Sequence, residues 1–523
     1  MMSTATLVSR VTGFARMWAM AFAIGATGLT SAYNLANTIP NMVFELLAGG
    51  IIASLFIPMY LEVKERDGSE SSAVFASHLM TLTVLALGAI SLLGVVFPQV
   101  FVWTQTFTPA ARQSTAVIES ANFFFAFFAI QIVVYGAGSI LSGLLNAHRE
   151  YLWPSLGPVF NNLVVIAVFL GFAFATRGHV STTALAWLAA GTTLGVIVMY
   201  AVQLPSLKKT GVKLRPALDL RDPDVRRLLV LAVPTVIYVG TNLLAFSFRN
   251  AYTLSVSKEG IGVLTYAWTF AQLPYGIVAV SLATAVFTEL AETASRKDMG
   301  GFKRHFGSGI RTTGVLMLPM SALLVALAVP IVSLLRVGRF TSAAVEPVAQ
   351  ALQWWAIGLV FFAAMMFLLR TFYSLKDTRT PMLVNFGVTV LQVVLYIVLT
   401  SGIAGWRGLG INGIPIAETI TWGVRTLALA VILRRKISGY DASGVLRVYV
   451  LMTIASIGGG AVAYGIASVL GRYVSGVGGA LVQIALAGMA GLAVAFALGA
   501  LFRVREVHAA ASSLMRLVSR RSA

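Results

Sequence analysis

Fourteen apolar stretches run through this chain of 523 residues, and each is long enough to cross a lipid bilayer. A hydrocarbon core of about 30 Å needs about 20 residues of helix. The stretches lie at 6–27, 31–61, 76–103, 118–146, 153–175, 182–203, 227–255, 261–289, 311–335, 345–373, 381–400, 409–433, 448–470 and 475–502. Hydrophobic residues make up 58% of the chain and charged residues 11%, which no soluble protein of this length is expected to show. The pattern predicts an all-α, polytopic membrane protein with about 14 transmembrane helices.

The lysines and arginines fall mainly on one side of the predicted spans. With residue 1 in the cytoplasm, the inner loops and tail hold 27 of them. The seven in the outer loops are Arg112, Arg177, Lys258, Arg336, Arg339, Arg407 and Arg472. Short loops with this bias follow the positive-inside rule, so we expect both termini in the cytoplasm. Because the basic residues are scattered over many loops and do not share one face, nucleic acid is not an expected partner.

A repeat with an offset of 227 residues relates the two halves of the sequence. FFAIQIVVY at 127–135 matches WWAIGLVFF at 354–362, and the polar turn at 149–150 matches the turn at 376–377 in the same register. The offset spans six predicted helices, an even number, so both copies have the same orientation in the membrane. This predicts two six-helix lobes related by an axis along the membrane normal, with the substrate path between them, as in secondary transporters.

The repeat predicts a division of the chain into five segments. They are an N-terminal lobe at 1–203, a basic cytoplasmic connector at 204–226, a C-terminal lobe at 227–435, two further helices at 436–503, and a cytoplasmic tail at 504–523. The two further helices are rich in small residues, such as Gly459, Gly465 and Gly491, which permit close helix contact.

Arginines inside the predicted spans need an explanation, since a charge near the bilayer centre costs about 2.5–3.5 kcal/mol on insertion scales. The candidates for substrate binding are Arg10, Arg16, Arg249 and Arg425. Arg16 lies about 9 Å deeper along its helix than Arg10, so we expect Arg16 to face a polar cavity. Arg10 is close enough to the inner surface to reach lipid phosphates. For Arg249, a cavity role and an anchor at the outer surface are equally compatible with its position.

Two acidic residues inside the spans are candidates for coupling or charge balance. Glu45 is expected either to neutralise Arg10 or Arg16, or to couple transport to a proton or another cation. Glu418 precedes Arg425 by seven residues, so the two share one helix face about 10 Å apart. They can pair with other groups or be bridged by water.

Pro40 and Pro274 lie in the middle of predicted spans, where each removes a backbone hydrogen bond and bends its helix. Bent helices beside a central cavity are candidate hinges for alternating access, and a purely architectural kink is the alternative reading.

Enzyme chemistry is not expected. The chain has no cysteine and five histidines, and it contains no HExxH, P-loop or Gly-x-Ser-x-Gly motif. We therefore expect no metal and no cofactor. A coupling cation or the membrane potential stays open as a source of energy.

Several motifs resemble the MurJ (MviN) family of lipid II flippases. They are SRVTGFAR at 9–16, SAYN at 31–34, IPN at 39–41, FIP at 56–58, QLPYGI at 272–277 and FYSLKD at 372–377. The resemblance covers essentially the whole chain and is nearest to the actinobacterial branch. It implies a transporter of the multidrug/oligosaccharidyl-lipid/polysaccharide exporter superfamily in the bacterial cytoplasmic membrane. Such a transporter moves lipid II from the inner to the outer leaflet for peptidoglycan synthesis, and cell-wall synthesis proteins are its expected partners.

The resemblance also implies that cavity arginines hold the pyrophosphate, with Arg10 and Arg16 in two of these positions. The chain departs from the family pattern at Met17, at Ser31, at 44–45 and around 268–269, where charged residues are usual. The family's arginine cavity is therefore reduced to Arg16, with Arg10 behind it. Either Arg249 or Arg425 compensates, or this branch holds its substrate differently.

The expected mechanism is alternating access, in which the lobes close around the headgroup and then open outward. Arginine suits pyrophosphate because it forms bidentate, charge-assisted hydrogen bonds. Outward movement of an anion runs with an inside-negative membrane potential. The alternatives are a flippase for another polyprenyl-linked glycan, a cation-coupled multidrug exporter, and a scaffold that recruits cell-wall enzymes.

Overall fold

The computed structural model describes residues 2–176, 180–403 and 405–508, and this part of the chain is predominantly helical. Within it, the extended backbone pairs only in an isolated bridge between Ile403 and Trp406. Arg177 and most of the predicted tail lie outside the described residues. Contacts group the chain into two compact units, which are Met1–Gly262 with Val337–Phe340 and Val263–Arg336 with Thr341–Ala523. We call them unit 1 and unit 2.

Unit 1 contains ten helices within its described residues. They are α1 (Met2–Ile24), α2 (Gly28–Phe44), α3 (Ile57–Val96), α4 (Pro98–Trp103), α5 (Pro109–Arg112), α6 (Thr115–Ala147), α7 (Leu152–Ala175), α8 (Thr182–Ala201), α9 (Leu204–Lys209) and α10 (Pro223–Val256). Glu45–Phe56 joins α2 to α3 as a π-helical segment. By its contacts with α5, α3 and this segment, α10 groups with unit 1, whereas the repeat places residues 227–255 in the second lobe. The five-segment division of the chain stays a prediction.

Unit 2 contains the remaining helices, apart from the first residues of α11, which lie in unit 1. They are α11 (Gly260–Pro274), α12 (Val280–Ser295), α13 (Met299–Ala326), α14 (Ala328–Ser333), α15 (Val345–Ser374), α16 (Arg379–Ser401), α17 (Gly413–Lys436), α18 (Ala442–Leu470) and α19 (Gly476–Leu501). Short 3₁₀ turns at Ser342–Ala344 and Gly410–Asn412 precede α15 and α17.

The all-α membrane architecture is confirmed. Eleven helices among the described residues are long and apolar enough to cross a bilayer. The three other predicted spans correspond to α1, to α2 with its π-helical continuation, and to α11 with α12. The count of fourteen spans therefore stays a prediction.

Three helices begin at an aspartate whose side chain accepts hydrogen bonds from the first turn. Asp222 accepts from the backbone N–H groups of Asp224 and Val225, Asp298 from Gly301, and Asp441 from Gly444. An aspartate at this position satisfies free N–H groups and complements the helix dipole. These caps fix the starts of α10, α13 and α18.

The repeat is visible in backbone geometry as well as in sequence. Helix α6 ends at Ala147 and α15 ends at Ser374, which are 227 residues apart. The next turn contains Arg149 with a φ of 63° in the first copy and Lys376 with a φ of 58° in the second. In each copy the following N–H donates to a carbonyl five residues earlier, at 2.9 Å to Leu145 and 3.0 Å to Phe372. Both helices thus end in the same left-handed, Schellman-type turn.

Both predicted hinge prolines lie next to a change in helix type. Pro40 precedes the π-helical segment Glu45–Phe56 by one turn, and Pro274 is followed directly by the π-helical segment Tyr275–Ala279. A proline removes one i→i−4 bond, and a wider turn is one way to accommodate that loss. A role of these prolines in movement stays a prediction.

The glycines of α18 and α19 have two different environments. A Cβ atom at Gly459 would lie 2.3 Å from the carbonyl oxygen of Gly491, so the two helices cross with their backbones in contact. At Gly465 and Gly478 an added Cβ would meet nothing within 4 Å. Close packing therefore requires glycine at Gly459 and Gly491, where the helices cross, and does not require it at Gly465 or Gly478.

Candidate functional site

Arg16 lies in α1 with an exposed side chain and forms no hydrogen bond or ion pair with another described residue. Its guanidinium is within electrostatic range of the hydroxyl groups of Tyr33 and Tyr135. Both tyrosines are only 5% exposed, so they belong to the interior of unit 1. Arg16 is therefore an accessible cation beside two tyrosine hydroxyl groups, and its position in a transport cavity stays a prediction.

One face of α2 carries three polar side chains, of which Tyr33 lies near Arg16. Tyr33, Asn37 and Asn41 are four residues apart, so they follow one another along the same side of the helix. The hydroxyl of Tyr33 is 3.1 Å from Thr192 Oγ1, and the hydroxyl of Tyr135 donates to Asn41 Oδ1 at 3.4 Å. The buried Oδ1 of Asn37 accepts no hydrogen bond from the described residues. This face therefore carries hydroxyl and amide groups that are mostly hydrogen-bonded within unit 1, with the buried Asn37 Oδ1 unpaired.

Arg10 also has an exposed side chain on α1, with no hydrogen bond or ion pair to the described part of the chain. The α1 backbone around it is held by Asn162 of α7, whose Nδ2 donates to Ser9 O at 3.3 Å and to Thr12 Oγ1 at 3.1 Å. This contact fixes α1 against α7, and with it the direction in which Arg10 and Arg16 leave the helix.

Glu45 and Arg249 are the other predicted site residues of unit 1. Glu45 is exposed at the start of the π-helical segment, and no ion pair joins it to Arg10 or Arg16 within the described residues. The guanidinium of Arg249, in α10, lies 5.3 Å from the ring centroid of Phe246, an arrangement that permits a cation–π interaction. Within the described residues, Glu45 therefore makes no direct contact through which it would balance the charge of Arg10 or Arg16.

In unit 2, hydrogen bonds connect Glu418 to Arg425 through two other side chains. Glu418 is 7% exposed, and its carboxylate accepts from Trp355 Nε1 at 2.7 Å and from the Tyr396 hydroxyl at 2.8 Å. Gln392 Nε2 donates to the Tyr396 hydroxyl at 2.5 Å, and Gln392 Oε1 accepts from Arg425 at 2.8 Å. The side chains of α16 therefore bridge the pair that the sequence places seven residues apart in α17.

An aromatic cluster occupies the region around Trp268, where the family pattern leads us to expect an arginine. The Trp268 ring is 5.3 Å from Trp355, 5.7 Å from Trp422 and 5.8 Å from Phe362, measured between centroids. Tyr275 lies 4.8 Å from Phe362. Large aromatic rings at these distances and angles pack favourably, so this part of unit 2 is stabilised by ring contacts.

Sequence reasoning did not single out Tyr33, Tyr135 or Gln392. The spacing of Tyr33, Asn37 and Asn41 was a usable signal, because polar residues four apart in a membrane span share a face. Tyr135 and Gln392 come from other helices, and only tertiary structure brings them to Arg16 and Arg425. The roles of the predicted site residues in binding, coupling and hinge movement stay predictions.

Comparison with known proteins identifies the family. Residues 20–483 match the family model for lipid II flippase MurJ. A curated lipid II flippase MurJ from Burkholderia cenocepacia is 26% identical over 460 residues, covering 86% of each chain. The chain is also similar to a solved structure of lipid II flippase MurJ in an inward closed conformation, with a TM-score of 0.78, 22% identity, and coverage of 96% of this chain and 98% of that one.

A more distant similarity connects the chain with drug transporters. An inward-facing multidrug resistance MATE family transporter of the MOP superfamily has a TM-score of 0.61 at 15% identity, covering 84% of this chain and 94% of that one. This similarity concerns the fold alone. Since the family model covers most of the chain, the protein belongs to the lipid II flippase MurJ family.

Proposed function

We propose that this protein is a lipid II flippase, which moves the undecaprenyl-pyrophosphate-linked peptidoglycan precursor from the inner to the outer leaflet of the bacterial cytoplasmic membrane. Membership of the MurJ family and the polytopic helical fold support this function. The family is one of transporters, so the chemistry to explain is the passage of a charged headgroup through a membrane.

The proposal that the protein binds a pyrophosphate rests on Arg16. It is a membrane-embedded arginine with no protein partner among the described residues, and it lies beside Tyr33 and Tyr135. An unpaired guanidinium in this setting is costly unless a ligand or water satisfies it. A pyrophosphate supplies oxygen acceptors in the geometry that arginine binds in a bidentate manner.

In the proposed mechanism, the two lobes alternate between inward-open and outward-open states while the polyprenyl tail stays in lipid. Arg10, nearer to the inner surface, guides the headgroup towards Arg16. Movement of an anion outward is favoured by an inside-negative membrane potential, by about 2.3 kcal/mol per charge per 100 mV. The proposal therefore requires no nucleotide, and it leaves the identity of any coupling cation open.

The test is complementation of cells depleted of their own lipid II flippase, scored by the amount of lipid II in the outer leaflet. We expect the chain to restore this amount, Arg16→Ala to reduce it at least about tenfold, and Arg16→Lys to give an intermediate result, since lysine keeps the charge and loses the bidentate geometry. Arg472→Ala is the matched control, because Arg472 is an exposed arginine in the turn between α18 and α19.

The outcomes distinguish between the functions that the sequence leaves open. Normal translocation by both Arg16 variants would show that Arg16 does not hold the pyrophosphate. Failure of the unmodified chain, together with rescue of a strain that lacks a flippase for another polyprenyl-linked glycan, would reassign the substrate. Failure of both, with increased drug resistance, would favour the multidrug exporter.

A further inference from the structure

A cavity of about 510 Å³ lies in unit 1 between the first half of α3, the residue that follows α6 and the part of the connector that follows α9, and Arg16 is not among its lining residues. Its volume is within the range of about 300–1,000 Å³ that small-molecule sites occupy. Its lining residues with charged or imidazole side chains are Lys64, Glu70, His148, Lys213 and Arg215. Tyr60, Val74 and Val212 contribute apolar surface to the same walls.

The connector is held in place by hydrogen bonds to α3. The backbone N–H of Arg215 donates to Ser77 Oγ at 3.1 Å, and that of Ala217 donates to Thr81 Oγ1 at 3.1 Å. At the end of the connector, His78 Nδ1 lies 2.8 Å from Asp222 Oδ2. The segment that carries Lys213 and Arg215 is therefore a fixed wall of the cavity.

Chain reversals on both sides shape this wall. Gly211, with a φ of 75°, turns the chain within the connector just after α9, and Gly68, with a φ of 89°, interrupts α3 beside it. Both values lie in the left-handed region that glycine adopts without strain. The two turns place Lys64 of α3 and Lys213 of the connector in the same cavity.

The basic residues of the cavity have no anionic partner, in contrast to two arginines nearby. Within the described residues, Lys64, Lys213 and Arg215 form no ion pair and no side-chain hydrogen bond. Nearby, Arg66 pairs with Asp224 at 2.7 Å, and Arg227 pairs with Glu62 at 2.7 Å. Asp224 and Glu62 therefore pair with arginines outside the cavity. Inside it, three basic side chains and the single carboxylate of Glu70 give a net positive charge.

His148 adds an imidazole ring to the cavity wall. Its Nδ1 is 2.9 Å from the carbonyl oxygen of Leu144, and its ring lies against Tyr60 with centroids 5.7 Å apart. When Nδ1 donates to that carbonyl, Nε2 is left as an acceptor for a donor group of a ligand.

We propose that this cavity binds a phosphate group at the face of unit 1 that carries the basic connector. Phosphate oxygens are strong acceptors for charge-assisted hydrogen bonds from Lys and Arg, and the apolar walls suit the glycerol or sugar that bears the phosphate. The same chemistry is presented by an anionic phospholipid headgroup and by a soluble phosphate metabolite. The proposal concerns a site separate from Arg16 and does not rest on the transport of lipid II.

The test uses the purified full-length protein and two probes. Inorganic pyrophosphate, measured by calorimetry at low ionic strength, represents the soluble source. Phosphatidylglycerol, measured by native mass spectrometry after exchange from neutral detergent, represents the lipid source. The double variant Lys213→Glu/Arg215→Glu is compared with Arg221→Glu, which makes the same kind of charge change on the same connector outside the cavity. Thermal unfolding confirms that both variants are folded.

We expect one probe to bind the unmodified chain and the Arg221→Glu variant equally, and to bind the double variant about tenfold or more weakly, since two attractive charges become repulsive. Binding should also weaken as salt concentration rises. Loss of pyrophosphate binding identifies a soluble ligand, and loss of phosphatidylglycerol binding identifies a lipid headgroup. If neither probe distinguishes the double variant from Arg221→Glu, the cavity does not bind phosphate and the proposal is wrong.

Discussion

Glu418 is a carboxylate whose position in unit 2 depends on hydrogen bonds from two neighbouring helices. Replacing it with glutamine turns one acceptor oxygen into an amide donor that faces Trp355 Nε1 or the Tyr396 hydroxyl. A buried donor left unsatisfied costs about 1–3 kcal/mol, so we expect Glu418→Gln to lower the free energy of unfolding by this amount. Thermal unfolding of the purified protein measures the change.

The control for this prediction is Glu346→Gln on α15, where an exposed carboxylate accepts from Gln350 at 2.9 Å. We expect it to change stability by less than about 0.5 kcal/mol, as for most surface substitutions. Transport by the folded Glu418→Gln variant separates two roles. A normal transport rate indicates that Glu418 is structural, whereas a reduced rate in a fully folded protein indicates that it takes part in coupling.

Asp377 makes the turn after α15 sensitive to acid. Burial acts to raise the pKa of this carboxyl, but hydrogen bonds from Lys436 Nζ at 2.5 Å and from Thr380 outweigh it and hold the pKa at about 2. Because the folded-state pKa lies below the ordinary value of 3.8, the carboxylate stabilises the fold above that pH. This contribution is lost as the pH falls from about 4 towards 2.

The corresponding variant is Asp377→Asn, which removes the charge at every pH. We expect it to lower stability at pH 7 by on the order of 2 kcal/mol, and the difference from the unmodified chain to shrink below pH 4. Unfolding followed at pH 7, 4 and 3 measures the difference, with Glu65→Gln as a control on an exposed side chain. A difference that stays constant with pH would show that Asp377 does not act through its charge.

The residues that sequence alone could identify were those whose chemistry conflicts with their surroundings. Arg16 and Glu418 were identifiable because a charge inside an apolar span needs a special environment. The contacts of these residues were not identifiable. Tyr135 reaches the neighbourhood of Arg16 from α6, and Gln392 reaches Arg425 from α16. Such contacts depend on how helices rotate and cross, which hydrophobicity in a membrane span specifies only weakly.

Among the elements, α18 and α19 show how a single glycine determines a helix crossing. At Gly459 any side chain would press against the backbone of Gly491, so we expect Gly459→Ala to destabilise the pair by about 1–3 kcal/mol. Gly465 lies on the same helix with open space around it, so Gly465→Ala is expected to stabilise α18 by up to about 1 kcal/mol. Thermal unfolding of the two variants should therefore shift in opposite directions.

If both substitutions had the same effect, helix propensity would explain the result and the crossing would not.

The sequence predicted close contact for all the glycines of these helices, because composition cannot distinguish a glycine at a crossing from one that faces lipid. The sequence was more informative about the turns that follow α6 and α15 in the two copies of the repeat. There the polar residues Arg149 and Lys376 marked positions where both copies adopt the same left-handed backbone.

For the whole molecule, the pattern of charges and apolar stretches was sufficient to predict the fold class, and the resemblance of several motifs identified the family. The grouping of helices into units was not predictable in the same way. Helix α10 follows the basic connector and reads as the first helix of the second copy, yet its contacts group it with unit 1. Sequence repeats record the ancestry of a segment, while packing depends on the surfaces that the segment presents.

The orientation of the chain in the membrane can be tested directly because the sequence contains no cysteine. Single substitutions therefore introduce the only thiol. Ser475→Cys lies at the start of α19, in a loop predicted to be external, and Ser438→Cys lies after α17, in a loop predicted to be cytoplasmic. Both serines are exposed, and the replacement changes one atom.

With both termini in the cytoplasm, a membrane-impermeant maleimide should label Ser475→Cys in intact cells and Ser438→Cys only after the membrane is disrupted. The cysteine-free parent supplies the background, and labelling of denatured protein confirms that each thiol is reactive. Labelling of Ser438→Cys in intact cells, with protection of Ser475→Cys, would invert the topology. The cavity beside the basic connector would then face outward, and Arg10 would lie at the exit of the transport path and not at its entrance.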